Sequence, residues 1–386
     1  MNRLLVALMR PAIRVGTLRI EKPGSEPAVL GEAAPEARLR VVEPRGLRRL
    51  LRGGVLGFAE AYIEGWLDTD DLPGFLRWGV ANNDALQRSR TGRMLRPLRR
   101  LWQRLARSQR HERVETMVDH YNLGNDFYGR WLDDTMAYSS ARYPDGVSSL
   151  ANAQRAKYEA ICDLADLRPG MRVLEIGCGW GGFAMHAARE RGVHVTGLTI
   201  ATEQASFARA GVADAGLDDL VDIRIEDFRD TEEEFDAIVS IEMIESVDET
   251  VWPPLFAAFH DRVVPGGPVV MQAITIDDAL WDGYRRRRDF IQRYVFPGGQ
   301  VPAARVLDEL ASEYGLDVER VERFGADYAR TLAAWRDRFQ SAWPELAADF
   351  DERFRRMWEL YLGYCEAGFL SGRIDVQQWL MRRGSG

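Results

Sequence analysis

The chain has 386 residues, 46% hydrophobic and 28% charged, with a formal net charge of −8. That is long enough for two domains with separate cores, and no run approaches the roughly 18 apolar residues that cross a bilayer. The acidic balance, without interleaved basic and aromatic residues, speaks against a nucleic-acid partner. Cys162, Cys178 and Cys365 form neither a disulfide framework nor a zinc pattern, and the histidines make no metal-type pair, so no metal is expected. The opening "MNRLLVALMRPAIR" has a short apolar patch cut by arginine and proline. It reads as the unprocessed start of a cytosolic protein.

Residues 1–87 form a first unit, with a strand in "ARLRVVEP" (37–44) and strands or turns feeding a helix in "GFAEAYIEGWLDTDDLPGFLRWGV" (57–80). Residues 88–113 carry many arginines and one acid, Glu112, while Met94, Leu95, Leu98, Leu101, Trp102 and Leu105 fall at helical spacing. Two readings stand for this amphipathic linker: a helix lying on an anionic membrane surface, or a domain-connecting helix with solvated arginines. A larger unit, 114–386, then alternates. Helices are expected at 151–166, 182–191 and 202–215, and strands at 172–176, 193–199 and 220–225, with two more in "FDAIVSIEMI" and "GGPVVMQAITI". A helical stretch over 279–345 and a final strand, "IDVQQWLMRR", complete the pattern. Such alternation means an α/β fold, here a Rossmann-like domain with a mostly parallel seven-stranded sheet beside a smaller α+β N-terminal domain.

Ligands of such sheets lie at the carboxyl ends of the strands. There "VLEIGCGWGG" (173–182) runs an apolar strand into Gly177, Gly179, Gly181 and Gly182, with Glu175 at the strand end. The acid would repel a phosphate and suits an ammonium, and the Lys-Ser/Thr of a P-loop is missing. S-adenosylmethionine, with a sulfonium, an ammonium and no phosphate, fits better than a dinucleotide. The second strand offers Thr199 and Gln204 for ribose hydroxyls; the third offers Asp227 for the adenine amino group and Phe228 for its ring. In "SIEMIESV", Glu242 and Glu245 stand three apart, so both would face the site if the strand has turned to helix there. Two close carboxylates raise one pKa and give a base near neutrality. The other reading pairs Glu242 with an arginine of "YRRRRDFIQRYVFPGG" (284–299).

"HYNLGNDFYGRWLDDTMAYSSARY" (120–143), the glycine motif and "FGADYARTLAAW" (324–335) together resemble the cyclopropane-fatty-acyl-phospholipid synthase family of class I S-adenosylmethionine methyltransferases, from about residue 40 to the end. The resemblance implies C-methylation of a cis double bond in a phospholipid acyl chain, and an N-terminal lipid-engaging domain. It assigns Tyr138, Ser139, Glu175, Gly177, Gly179, Thr199, Gln204 and Asp227 to the donor. It also implies a bicarbonate ion held by five groups. Glu245, the Ile274 amide and Tyr328 match three of them, whereas the family's Cys and His are Ser140 and Gln272. That departure puts bicarbonate in doubt. "EMIE", "QAITI" and "FIQRYVFPGG" resemble the branch giving 10-methylene chains on the way to 10-methyl (tuberculostearic-acid-type) fatty acids; a methylene product would need a partner reductase. A cyclopropane product and an inactive membrane-binding protein are the alternatives. The expected partners are unsaturated membrane phospholipid and an anionic membrane surface, at the cytoplasmic inner face of the plasma membrane; oligomeric state stays open, a homodimer included.

Overall fold

A computed structural model describes residues 13–88, 123–287 and 289–384. The arginine-rich linker therefore lies outside the described residues, save Arg88 at a helix end. The chain divides into two compact units. One holds Met1–Asn122, Arg288–Val295 and Trp343–Ser371; the other holds Leu123–Arg287, Phe296–Ala342 and Gly372–Gly386.

In the first unit, strands β1 (Thr17–Glu21), β2 (Ala28–Leu30), β3 (Glu36–Val41) and β4 (Leu67–Asp68) form a sheet in the order β2-β1-β3-β4. β3 alternates, burying Ala37, Leu39 and Val41, which is the period of a half-buried strand. Helices α1 (Pro44–Gly53), α2 (Val55–Ile63) and α3 (Leu72–Arg88) follow. The start of 57–80 is thus helical, contrary to the strand-or-turn expectation. Phe58, Ala59, Ala61, Tyr62 and Ile63 are all buried, an all-round burial without strand alternation. The helix Glu352–Leu370 also belongs here, which corrects the assignment of all of 114–386 to one domain. Its Gly363 leaves room for Leu72 and Leu76, and Arg356 donates to the carbonyls of Tyr62 and Leu67.

The second unit is the seven-stranded sheet. It contains β5 (Arg172–Ile176), β6 (His194–Thr199), β7 (Val221–Ile225), β8 (Ala237–Ile241), β9 (Pro268–Ile276), β10 (Leu316–Arg323) and β11 (Ile374–Arg383), in the order β10-β11-β9-β8-β5-β6-β7. The five strands β9-β8-β5-β6-β7 run parallel, while β11 is antiparallel to β9 and to β10. The central strands β5, β8 and β9 are buried along most of their length because helices cover both faces. On one face α4 (Leu150–Leu164), α5 (Gly182–Arg191) and α6 (Thr202–Asp214) bury Ile161, Ala184 and Ala205. On the other α7 (Trp252–Arg262) buries Leu255 and Phe259 beside Leu307 of the helix Ala304–Glu313.

The stretch 279–345 is not wholly helical, since β10 lies inside it. A register shift between Val318 and Arg320 breaks the alternation that would have marked "LDVERVER" as a strand. Helix α8 (Gly325–Leu346) follows β10.

Candidate active site

The turn after β5 is built for close approach. Gly177 takes a φ of +83°, the left-handed region, and a side chain there would strike Met243. A Cβ on Gly182, which opens α5, would lie 2.6 Å from the Tyr158 hydroxyl. Glu175 is 2% exposed, and its Oε2 has no hydrogen-bond partner. Burial pushes its carboxyl up to about 8, against the pull of Lys157 and of the Ala184 amide. An orphaned buried carboxylate oxygen at this point fits a cationic ligand group and does not fit a phosphate.

The neighbouring strand ends supply the remaining donor-site candidates. Thr199 donates to Gln204 Oε1 at 3.1 Å. Asp227 already accepts from the Arg229 backbone amide and guanidinium, which holds its carboxyl below the usual range. Phe228 is partly buried against the core beside them. Ile200, directly after β6, is 80% exposed. Sequence reasoning passed over this isoleucine, an apolar side chain left uncovered beside the strand-end polar groups.

The two acids do meet. Glu242 follows β8 in a left-handed conformation, φ +49°, a strained setting for a non-glycine residue. Its Oε1 accepts from the Ser140 amide at 2.8 Å and from Gln272 Nε2 at 2.7 Å, and its Oε2 accepts from the Tyr328 hydroxyl at 2.7 Å. The described arginines of 284–299 are not among its hydrogen-bond partners. Ser140 serves through its backbone; its hydroxyl donates to the Ala141 carbonyl instead. Glu245, in a short 3-10 turn (Ile244–Ser246), accepts from the Ile274 amide, and its Oε2 is buried without a partner.

Burial raises both carboxyls. Three donors pull Glu242 back toward ionisation, whereas the Glu242 charge drives Glu245 further up. Of the two, Glu242 is the acid whose charged form its neighbours favour, and Glu245 is the one held higher.

Gln272 is fully buried and oriented from behind. Strand register sets Glu322, Gln378 and Gln272 opposite one another across β10, β11 and β9. Arg142 pairs with Glu322 at 2.8 Å and donates to Gln378 Oε1 at 2.8 Å; Gln378 Nε2 donates to Gln272 Oε1 at 2.9 Å. The Gln272 amide NH2 is thereby turned toward Glu242. Sequence reasoning missed Arg142 and Gln378, although a glutamine pair inside the apolar "IDVQQWLMRR" was a signal.

It also missed Lys157. This fully buried lysine donates to Ser139 Oγ at 2.7 Å and lies 4.5 Å over the Tyr158 ring. Burial lowers its ammonium to about 8. Its position on the buried stripe of Ala153, Gln154, Tyr158 and Ile161 distinguishes it from a solvated lysine.

An aromatic wall adjoins the carboxylates. Tyr138 packs 5.3 Å from Tyr128, 5.6 Å from Trp131 and 5.3 Å from Trp335, whose ring lies 6.0 Å from that of Tyr328. π-Faces of this kind stabilise a passing positive charge.

Comparison with known proteins gives the site a context. The family model described as mycolic acid cyclopropane synthetase matches residues 108–379. The tuberculostearic acid methyltransferase UfaA1 of Mycobacterium tuberculosis is 39% identical over 93% of this chain and 87% of its own. The cyclopropane-fatty-acyl-phospholipid synthase of Escherichia coli is 38% identical over 90% of this chain and 88% of its own. Among solved structures, the mycolic acid cyclopropane synthase CmaA1 complexed with SAH and CTAB is similar at 29% identity and a TM-score of 0.65, over 70% of this chain and 99% of that one.

Proposed function

The chain belongs to the mycolic acid cyclopropane synthetase family, and on that premise we propose that it methylates the cis double bond of an unsaturated acyl chain in a membrane phospholipid, giving a 10-methylene branch. The observation that carries the reading is the Glu242 side chain, fixed by Ser140, Gln272 and Tyr328 beside a second buried acid, Glu245, and an aromatic wall.

S-adenosylmethionine, when bound, supplies an electrophilic methyl group. Glu175 is suited to its ammonium, the Gly177 and Gly179 turn to close backbone approach, Thr199 and Gln204 to the ribose, and Asp227, Phe228 and Ile200 to the adenine. Addition of a methyl group to an alkene leaves positive charge on the neighbouring acyl carbon; a 1,2-hydride shift from the methylated carbon moves the charge onto that carbon, and loss of a methyl proton then gives the exocyclic methylene. Tyr138, Trp335 and Tyr328 offer that charge π-density, and Glu242 accepts the proton that must leave.

The Glu242 carboxylate itself engages Gln272 and Tyr328, two of the positions that the resemblance gives to bicarbonate, together with the Ser140 amide at a third. No separate anion is required in this reading. Turnover in carbonate-stripped buffer is expected to equal turnover with added bicarbonate; a bicarbonate-dependent rise would return the ion to the site.

The relay behind Gln272 gives a second expectation. Arg142→Ala or Gln378→Leu frees the Gln272 amide to turn its oxygen toward Glu242. A hydrogen bond to a charged group contributes about 1.5–3 kcal/mol, so turnover is expected to fall roughly tenfold to a hundredfold. The acid limb of the pH profile should move up, while donor binding stays constant. Unchanged profiles in both variants would reduce the relay to a structural feature.

A cyclopropane product is the second reading, favoured by the 38% identity to a cyclopropane synthase. Expression in a bacterium that lacks its own cyclopropane synthase and makes cis-monounsaturated phospholipids separates the two by fatty-acid analysis. Methylene-branched chains support the proposal, and cyclopropane chains alone overturn the product. The reading places the chain peripherally at the inner face of the plasma membrane. No described helix is long and apolar enough to cross a membrane. A saturated methyl branch would require a separate reductase.

A further inference from the structure

In the first unit, α1 carries Arg45, Arg48, Arg49 and Arg52. Their spacing of three, four and seven residues puts all four guanidiniums on one helix face. They line a cavity of about 560 Å³. Arg353 enters from the helix Glu352–Leu370, and Trp66 and Tyr294 add aromatic walls.

The carboxylates in this cavity do not neutralise it. Glu60 pairs with Arg49, and Glu64 pairs with Arg353. Arg45 lies 4.1 Å over the Trp66 ring and pairs with Glu43 outside the cavity lining. Arg48 and Arg52 are exposed and make no ion pair or hydrogen bond with any described residue. Two free guanidiniums at one helical turn's spacing, in a concave site, match the oxygens of a phosphodiester.

The surroundings indicate that the phosphodiester belongs to a lipid. Val42 and Val55, each two residues beyond an end of α1, are 49% and 50% exposed. Tryptophan and tyrosine beside arginine are the side chains that settle at a membrane–water interface. A free phosphate would use neither the exposed valines nor the aromatic walls.

We propose that this arginine-lined cavity is a headgroup site that takes the phosphodiester of a glycerophospholipid at the membrane surface. The inference rests on the phospholipid reading of the previous section, and adds to it a second point of contact on a different unit of the chain.

The test uses the full chain, sedimented with dioleoyl-phosphatidylglycerol vesicles, and compares it with the Arg48→Ala/Arg52→Ala variant. Each basic residue near an anionic surface contributes enough that the double variant should bind on the order of tenfold to thirtyfold more weakly. Turnover on vesicles should fall in parallel. The Arg48→Lys/Arg52→Lys variant should recover only part of the loss, because an ammonium cannot replace the guanidinium fork. Equal vesicle binding by the wild-type chain and the alanine variant, with melting curves matched, would overturn the headgroup site. Inorganic phosphate that displaces the vesicles better than sodium chloride of equal ionic strength would assign the cavity to free phosphate and overturn the lipid assignment. Failure of the wild-type chain to methylate phospholipid in any presentation would instead overturn the underlying reading, with the sedimentation result still deciding what the cavity binds.

Discussion

Glu242→Gln is expected to lower turnover by on the order of a thousandfold while leaving S-adenosylmethionine binding nearly unchanged. The substitution keeps shape and removes charge. Its amide would set an NH2 group against donors that now converge on a carboxylate: the Ser140 amide, Gln272 Nε2 and the Tyr328 hydroxyl. The base would be lost, and Glu245, still raised by burial once its neighbour's charge is gone, is a poor replacement. Glu245→Gln imitates the neutral form of that acid and should cost much less. Tyr328→Phe deletes one of three donors and should fall between the two. Burial raises the Glu242 carboxyl, so the acid limb of the wild-type rate profile should lie above the ordinary glutamate range, and it should vanish in Glu242→Gln. Equal losses at positions 242 and 245 would contradict the division of roles between them.

Donor binding should become tighter as pH rises toward 8 and then level off. Burial raises the Glu175 carboxyl to about 8, so in the empty site it holds a proton below that pH. A cationic ligand requires the ionised form, and binding therefore expels the proton. Affinity should increase by up to about tenfold per pH unit below 8, since a full proton is released. Titration calorimetry in two buffers of different ionisation enthalpy measures the release. Glu175→Gln should abolish it and weaken binding roughly tenfold to a hundredfold, the worth of a charged hydrogen bond in a buried site. Lys157 titrates in the same range, its ammonium lowered to about 8 by burial. A Lys157→Met variant that keeps the proton release separates the two groups. Affinity independent of pH between about 6 and 8 would remove Glu175 from the ammonium site.

Much of this was legible because local pattern carries it. The alternation of apolar strands with helices predicted β5 to β9 and the final strand to within a few residues, and the glycine turn marked the end of β5. Pattern failed where structure depended on register or on distant packing. β10 was read as helix because its bulge hides the alternation. The helix Glu352–Leu370 packs on residues nearly three hundred positions away in sequence, which spacing cannot show.

The site divides in the same way. Glu242 and Glu245 could be proposed from three-residue spacing. Which of them is the more readily ionised depends on Ser140, Gln272 and Tyr328 arriving from three other parts of the chain. The Glu322–Gln378–Gln272 row exists only through strand register, so Arg142 and Gln378 had no local signature of function. Lys157 was readable, as a lysine on the buried face of α4, and was passed over.

The most direct measurement is mass spectrometry of the fatty acids formed from purified chain, dioleoyl phospholipid vesicles and S-adenosylmethionine carrying a trideuterated methyl group, followed by ozonolysis. The expected product retains two deuteriums, because after a hydride shift on the acyl chain one leaves from the new methyl to Glu242, and ozone cleaves it to a mid-chain ketone. An ozone-resistant product with two deuteriums would be a cyclopropane, and would contradict the methylene branch.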